Sequence, residues 1–391
     1  MAGIYIHIPF CKQACHYCNF HFSTSLKLQN DFIAALLKEI SIRAEYLGGE
    51  QVSSIYFGGG TPSLLAEDEI ATIMIALNDR FNISGNAEVT FEANPDDITP
   101  DRLGAWKHQG INRLSIGIQS FFEEDLIWMN RAHDAAQARE CVPMAMGAGF
   151  ENMSIDLIYG GPTLPDSRWI ENLTTAAGLR VPHLSCYALT VEPGTALEAL
   201  TRKEKVKEVN NEDQARQFLI MTDYLQSMGY EHYEISNLAL PGKRSLHNSS
   251  YWNGAKYLGL GPSAHSFNGT ARQWNVANNA SYINSLRNDR IPFESEMLTG
   301  VQKMNEYIMT SLRTMEGTSL NHISEQFGQE ASIDILHHAK RYADKGWLIF
   351  SNDTLTLTRE GKLFADGIAA DLFAERDQTS TDSMFLKPSR G

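Results

Sequence analysis

Short apolar segments alternate with amphipathic segments along the first half of the chain. Between the apolar segments, stretches such as 30–47 and 67–81 repeat their apolar residues at spacings of three and four, which is typical of helices. Strands that alternate with helices form βαβ units, which build a parallel sheet with right-handed crossovers. We therefore predict an α/β fold, a partial (β/α)6 TIM-like barrel. The six predicted strands are 4–9, 53–59, 87–93, 113–119, 152–160 and 183–191.

The pattern changes after about residue 295, where three helical stretches precede a short β-like pair at 347–358. This order resembles a winged helix, a small α+β fold that ordinarily suggests nucleic acid. Residues 300–372, however, carry seven Lys or Arg against ten Asp or Glu, so the segment lacks the basic footprint that such binding needs. We predict a cap or partner-docking domain and no nucleic-acid partner.

These changes in pattern also predict the domain organisation. The predicted parts are a barrel at 1–240, an extension over the barrel at 241–295, a C-terminal domain at 296–374 and a tail at 375–391. The tail is polar in composition, and we expect it to be disordered.

Composition and cysteine usage indicate the compartment. The first ten residues have neither a basic region nor a long apolar run, which excludes a signal peptide and a transmembrane helix there. The cysteine count is five, an odd number, and three of these cysteines fall within eight residues, which does not suit a disulfide framework. Since thiols persist in reducing compartments, we predict a cytoplasmic protein.

Polar residues follow several predicted strands at the point where each strand ends. Gly58 to Pro62, GGGTP, follows the second strand, Glu92 ends the third, Gln119 ends the fourth and Asp156 lies late in the fifth. In (β/α) barrels the loops at the strand C-termini converge on one mouth and carry the active site. We expect these groups to face one cavity.

The stretch PFCKQACHYCNFHF, at 9–22, follows the first strand and places Cys11, Cys15 and Cys18 at the same mouth. Three thiolates with His16 or His21 would complete a structural zinc site. Three thiolates alone would hold a cubane iron–sulfur cluster and leave one iron free for another ligand. The residues by themselves leave both alternatives open.

Together these motifs resemble the radical S-adenosylmethionine (radical SAM) superfamily. C-x3-C-x2-C follows a strand, an aromatic residue precedes its last cysteine, and GGGTP follows the second strand. YIHIPFC, NRLSIGIQS, MNRAH, SIDLIYG and HNSSYW resemble the group around oxygen-independent coproporphyrinogen III oxidase, and most closely its haem chaperones. The similarity runs from about residue 4 to about residue 370.

The resemblance implies roles for individual residues. Cys11, Cys15 and Cys18 would ligate a [4Fe-4S] cluster whose unique iron binds S-adenosylmethionine. The implied contacts to S-adenosylmethionine are Tyr5, Tyr17, Gly59, Gly60, Thr61, Glu92, Gln119, Arg131, Asp156 and Ala188. An acidic side chain suits an amine or a ribose hydroxyl, and Arg131 suits a carboxylate by charge-assisted hydrogen bonding.

The HNSSYW stretch, 247–252, matches the pattern linked with haem in the haem chaperones of this group. The implied haem-binding residues are His247, Asn248, Tyr251 and Trp252. His247 and Tyr251 are four residues apart and would share one face of a helix. An imidazole can ligate haem iron, and aromatic rings can pack on a porphyrin.

Two departures separate the chain from the oxidases of the group. Phe20 stands where the oxidases carry a further cysteine, and the first strand begins at residue 4, without their longer N-terminal extension. The resemblance therefore implies a haem chaperone that delivers haem to an acceptor protein, such as a respiratory enzyme at the inner membrane. An oxygen-independent coproporphyrinogen oxidase or another radical SAM porphyrin enzyme is the alternative. Whether the chain is an enzyme and whether it forms a homodimer stay open.

Overall fold

The computed structural model describes residues 1–374 and divides into two compact units, Met1–Met297 and a second unit that begins at Leu298. The predicted boundary at 240/241 does not separate compact units, and its functional meaning stays a prediction. The predicted tail at 375–391 lies outside the described residues.

The first unit contains twelve strands and ten α-helices within the described residues. Its strands are β1 (Ala2–Ile8), β2 (Val52–Gly59), β3 (Ile83–Ala93), β4 (Arg113–Gln119), β5 (Met153–Tyr159), β6 (His183–Ala188), β7 (Glu231–Glu234), β8 (Asn237–Ala239), β9 (Tyr257–Leu260), β10 (His265–Phe267), β11 (Ala271–Asn275) and β12 (Phe293–Met297). Its helices are α1 (Gln29–Ile42), α2 (Glu67–Arg80), α3 (Pro100–His108), α4 (Glu123–Met129), α5 (Ala135–Gly147), α6 (Asp166–Gly178), α7 (Ala196–Arg202), α8 (Asn211–Ser227), α9 (Leu246–Trp252) and α10 (Asn279–Arg287).

One sheet joins all twelve strands of the first unit. Strands β1 to β6 pair in sequence order and in parallel, β9 pairs in parallel with the free side of β1, and β8 pairs antiparallel with β6. The two ends of the sheet, β12 and β7, are not paired with each other in the described part of the chain. The predicted partial barrel is therefore confirmed.

The two faces of the parallel strands differ in polarity, and this difference creates the site. Phe57 and Phe91 lie on the apolar face, in contact with each other, and the Phe91 ring lies 5.1 Å from that of Trp106 in α3. Their neighbours in sequence, Tyr56 and Glu92, point to the opposite face because successive strand residues alternate. Burying the apolar face under helices leaves the polar face to line the inside of the open barrel.

The second unit is a small α+β structure with its own core. It contains α11 (Gly300–Leu312), β13 (Thr318–Ser319), α12 (Leu320–Phe327), α13 (Gln329–Ala343), β14 (Leu348–Ser351), β15 (Thr354–Leu357) and α14 (Ala365–Asp371). The three strands pair antiparallel in the order β13, β15, β14. The predicted α+β domain of helices and a terminal strand pair is confirmed. None of the helices within residues 1–374 has the length and apolar character needed to span a bilayer.

Candidate functional site

The three clustered cysteines lie in an irregular loop directly after β1. The loop is tied to itself by backbone hydrogen bonds, of which Cys11 N–H to Ser23 O measures 3.0 Å and Cys18 N–H to Cys15 O measures 3.3 Å. All three cysteines line one cavity of about 350 Å³ inside the open barrel, here called the main cavity. The loop therefore presents three thiols to a common space.

Burial disfavours the thiolate form of two of the cysteines, and a guanidinium lies beside the third. Burial raises the pKa of Cys11 to about 11 and also raises the pKa of Cys18. The Arg131 guanidinium donates from Nη1 to the Cys15 Sγ at 3.3 Å. A metal or cluster would displace the thiol protons, since metal ligation and deprotonation are linked.

The two histidines that could complete a zinc site point elsewhere. His16 Nδ1 is hydrogen-bonded to the Trp128 carbonyl oxygen at 2.8 Å, and His21 Nε2 to Asn279 Oδ1 at 2.7 Å. Neither histidine lines the main cavity. Among the described residues, no group of three or more His, Cys, Asp or Glu side chains is gathered closely enough to hold a single metal ion. In these positions neither histidine completes a four-ligand zinc site with the cysteines.

The GGGTP loop after β2 forms the next wall of the main cavity and is held against the end of β1. Gly60 N–H donates to Ile8 O at 2.8 Å, and Thr61 N–H donates to Phe10 O at 2.7 Å. Gly59 has a φ of +101°, which L side chains rarely adopt. A Cβ on Gly60 would lie 2.6 Å from Phe10 O and 2.7 Å from Ile8 O. Only glycine allows this approach of backbone to backbone.

We expect Gly60→Ala to destabilise the protein by about 2 kcal/mol or more, because backbone atoms at the end of β1 must move to admit the methyl group. Gly85→Ala is the matched control, since a Cβ at that position meets nothing within 4 Å. Urea unfolding followed by circular dichroism measures both. Equal midpoints for the two variants would contradict the packing described for the GGGTP loop.

Two carboxyl groups, one near the end of β3 and one in the middle of β5, face the main cavity. Glu92 Oε1 accepts from the Tyr56 hydroxyl at 2.8 Å. Burial, with the nearby Asp156 carboxylate second, raises the pKa of Glu92 to about 7. Burial likewise raises the pKa of Asp156 to about 6. A cationic or hydroxyl-bearing ligand would relieve this cost by pairing with the carboxylates.

Arg131 stands between the cysteine loop and the strand ends. Its Nη2 donates to Asn94 Oδ1 at 2.6 Å and to Gly117 O at 2.8 Å. Its Nε is buried and has no hydrogen-bond partner among the described residues. Burial alone would lower the pKa of Arg131, but the neighbouring Tyr17 and Cys15 side chains outweigh it and raise that pKa, so the guanidinium stays charged. The side chain is fixed and still has a donor to offer.

Gln119 ends β4 in a conformation rare for its type. Its φ is +66°, and the pairing of β4 with β5 shifts register between Ile116 and Gln119. Left-handed backbone at a non-glycine residue is found where function or packing requires it. The kink places Gln119 on the wall of the main cavity.

The structure brings together most of the predicted contacts to S-adenosylmethionine. Those that line the main cavity are Tyr17, Gly59, Gly60, Thr61, Glu92, Gln119, Arg131, Asp156 and Ala188. Tyr5 lies outside it, and its hydroxyl is hydrogen-bonded to His7 Nδ1 at 3.2 Å. The binding roles themselves stay predictions.

The HNSSYW segment folds as helix α9, and its members separate. His247 is only 1% exposed, with Nδ1 hydrogen-bonded to Ser54 Oγ at 2.8 Å and Nε2 to the Tyr251 hydroxyl at 3.1 Å. Asn248 lines the main cavity, whereas Trp252 lines neither that cavity nor the second one described next. The sequence spacing correctly placed His247 and Tyr251 on one helix face, but the imidazole is fully engaged.

A second cavity of about 420 Å³ lies on the other side of the cysteine loop. Its lining residues are Tyr5, His7, Asn19, Phe20, His21, Tyr251, Tyr257, Ser263 and His265. Asn19 and Phe20 line both cavities, so the loop that carries the cysteines forms the partition. The sequence pattern did not reveal this cavity, because its walls combine residues 5–21 with residues 251–265, at least 230 positions away.

Arg113 is a further member of the main cavity that the sequence analysis did not single out. Its side chain is buried, lies 3.8 Å from Glu88 Oε2, and has no hydrogen-bond partner at Nε or Nη2 within residues 1–374. The available signal was an arginine at the start of an otherwise apolar strand, since such a charge is rarely buried without a purpose.

The comparisons with known proteins agree with this geometry. Residues 5–176 match the radical SAM superfamily, and residues 298–364 match the HemN C-terminal domain. The solved structure of coproporphyrinogen III oxidase (HemN) from Escherichia coli, a radical SAM enzyme, matches with a TM-score of 0.82. The match covers 95% of this chain and 90% of that chain at 24% sequence identity, and it shows the fold alone. The open parallel sheet with its cysteine loop is a radical SAM fold.

Curated relatives show to which family of the radical SAM superfamily the chain is similar. Heme chaperone HemW of Mycobacterium tuberculosis (strain ATCC 25618 / H37Rv) is 32% identical over 95% of this chain and 94% of its own length. Heme chaperone HemW of Bacillus subtilis (strain 168) is 32% identical over 94% of this chain and 98% of its own length. Heme chaperone HemW of Escherichia coli (strain K12) is 36% identical over 67% of this chain and 69% of its own length. The chain belongs to the HemW family of the radical SAM superfamily.

Proposed function

We propose that this protein is a haem chaperone that binds a [4Fe-4S] cluster, S-adenosylmethionine and haem, and delivers haem to a haem-dependent acceptor protein. The observation that carries the proposal is the convergence of the three cysteines with the predicted S-adenosylmethionine contacts on one cavity. Membership of the HemW family supports the haem-related part.

The residues of the main cavity fit the two cofactors. Cys11, Cys15 and Cys18 would hold the cluster, and a cluster with three thiolates leaves one iron open to the amine and carboxylate of S-adenosylmethionine. Arg131, with its buried and unpartnered Nε, would pair with the carboxylate of that cofactor. Glu92 would accept hydrogen bonds from its amine or ribose hydroxyls.

We further propose that haem binds in the second cavity with the help of the 247–252 segment. Tyr251 lines this cavity, and its ring lies 4.6 Å from that of Tyr257 in an edge-to-face arrangement. His247 supports Tyr251 from behind through the hydrogen bond to its hydroxyl. His247 then acts as a positioning residue for Tyr251. Asn248 and Trp252 belong to the same helix.

A porphyrin-modifying enzyme is the rival function. Phe20 favours the chaperone, because this side chain stands where the related oxidases carry a cysteine and is 67% exposed on the partition between the cavities. A thiol at this position could take part in a reaction, whereas a phenyl ring can only offer an apolar surface to a macrocycle.

The test is anaerobic reconstitution with iron and sulfide, followed by parallel assays of haem binding and of coproporphyrinogen turnover. We expect stoichiometric haem and no turnover. His247→Ala should weaken haem affinity by about tenfold, as loss of a supporting hydrogen bond does at metal sites, and leave the iron–sulfur absorbance intact. Turnover of coproporphyrinogen at enzymatic rates would contradict the chaperone function and support the oxidase function.

We also propose that the acceptor is a respiratory enzyme at the membrane, met from the cytoplasmic side. The net charge of −14 favours contact with a basic partner surface over anionic lipid itself. Co-purification of the haem-loaded chain with such an enzyme, and loss of the complex at high salt, would support this assignment.

A further inference from the structure

The second cavity has the lining that a planar, mostly apolar macrocycle needs. Aromatic rings of Tyr5, Phe20, Tyr251 and Tyr257 contribute to its walls, and its volume of about 420 Å³ lies within the range of small-molecule sites. Aromatic faces and edges bind flat apolar ligands favourably. All of its lining residues belong to the first unit.

Three histidines line this cavity, and they differ in how their ring nitrogens are used. His7 is buried, donates from Nε2 to His21 O at 2.8 Å and receives the Tyr5 hydroxyl at Nδ1. His21 Nε2 is hydrogen-bonded to Asn279. His265 is exposed, and neither of its ring nitrogens has a hydrogen-bond partner in the part of the chain that the structure describes. Of the three, only His265 has both nitrogens available for a ligand.

The orientation of His265 is fixed although its nitrogens are not engaged. It opens β10, pairs antiparallel with Trp274 of β11, and stacks on that indole with ring centroids 6.2 Å apart and planes 27° apart. A ring held by a neighbouring strand loses little freedom when it binds a ligand. Partial burial and the Arg272 guanidinium lower the pKa of His265, so the imidazole is neutral at pH 7.

We propose that His265 is the axial ligand of haem bound in the second cavity, an inference that rests on the proposed haem-chaperone function. A neutral imidazole is the common protein ligand of haem iron. His247, which the sequence pattern favours, has both nitrogens committed to Ser54 and Tyr251 and acts behind the cavity wall. Haem in this position contacts Phe20 and is separated from the main cavity by the cysteine loop.

The test titrates hemin into the anaerobically reconstituted full chain and records the Soret band and the electron paramagnetic resonance of the ferric haem. Wild type should show an imidazole-ligated spectrum. His265→Ala should weaken affinity by at least about tenfold and lose that signature, which added imidazole should restore in His265→Gly. His265→Gln keeps a similar volume and should behave like His265→Ala. The iron–sulfur absorbance and the circular dichroism should stay unchanged in all variants.

His108→Ala is the control, because this histidine is exposed at the end of α3, and it should retain the wild-type haem spectrum. His21→Ala tests the other partly engaged histidine of the cavity as the competing ligand. A wild-type spectrum in His265→Ala, or its loss in His21→Ala alone, would overturn the ligand assignment and leave the chaperone function standing. Failure of the wild-type chain to bind hemin would overturn the proposed function itself.

Discussion

Replacement of Cys11, Cys15 or Cys18 by alanine is expected to abolish the oxygen-labile iron–sulfur absorbance of the reconstituted protein. The three thiols line the main cavity, and the other two cysteines are buried elsewhere, Cys141 in α5 and Cys186 in β6. A cluster that already leaves one iron without a protein ligand has no reserve thiolate, so each substitution should cause complete loss. Absorbance near the visible iron–sulfur band, with iron and labile sulfide analyses, measures this.

Cys141→Ala is the matched control, because this thiol is enclosed among apolar groups in a helix and donates to Ala138 O at 3.4 Å. Its removal should leave iron and sulfide content unchanged. Stoichiometric zinc without labile sulfide in the wild-type protein would refute the cluster. In that case His16 or His21 would have to turn away from its present hydrogen bond to serve as a fourth ligand.

The barrel and the position of its mouth could be predicted because local rules determine them. Buried parallel strands appear as short continuous apolar segments, and each of the six predicted segments overlaps one of the strands β1 to β6. Polar side chains that point into the barrel from the middle or the C-terminal end of a strand meet at the mouth. Glu92, Gln119 and Asp156 accordingly reach one cavity.

The parts that could not be predicted depend on contacts distant in sequence. The sequence motif around His247 predicts a haem ligand. Only the packing of the imidazole against Ser54 and Tyr56, about 190 positions away, shows that it is buried. The second cavity likewise combines β1, the cysteine loop and the β9 to β10 region, which pair only after the sheet forms. Hydrophobic periodicity carries no information about such pairing.

Helix ends were predicted less well than strands. The amphipathic stretch 30–47 predicts a helix that reaches Leu47, but α1 ends at Ile42. The chain continues through turns to Gly48 and Gly49, both with positive φ. Leu47 is still buried, so its apolar character reflects packing of the turn and not a further helical turn.

Arg131→Ala is expected to weaken S-adenosylmethionine binding by at least about 30-fold, because removing one partner of a buried, hydrogen-bonded charge pair costs about 2 kcal/mol or more. Its guanidinium is held by Asn94 and Gly117 and still has a buried, unpartnered Nε. Glu92→Ala should also weaken binding, since the carboxylate would lose its cationic or hydroxyl partner. Calorimetry on the anaerobic, cluster-loaded protein measures both.

Arg80→Ala serves as the matched control, since this arginine is exposed at the end of α2 and should leave the affinity unchanged. Arg131→Lys separates charge from geometry: an ammonium retains the charge but lacks the planar fork that could hold Asn94 and a carboxylate together. We expect this variant to bind more tightly than Arg131→Ala and more weakly than wild type. Unchanged affinity in both Arg131→Ala and Glu92→Ala, with the cluster absorbance intact, would mean that S-adenosylmethionine does not occupy the main cavity.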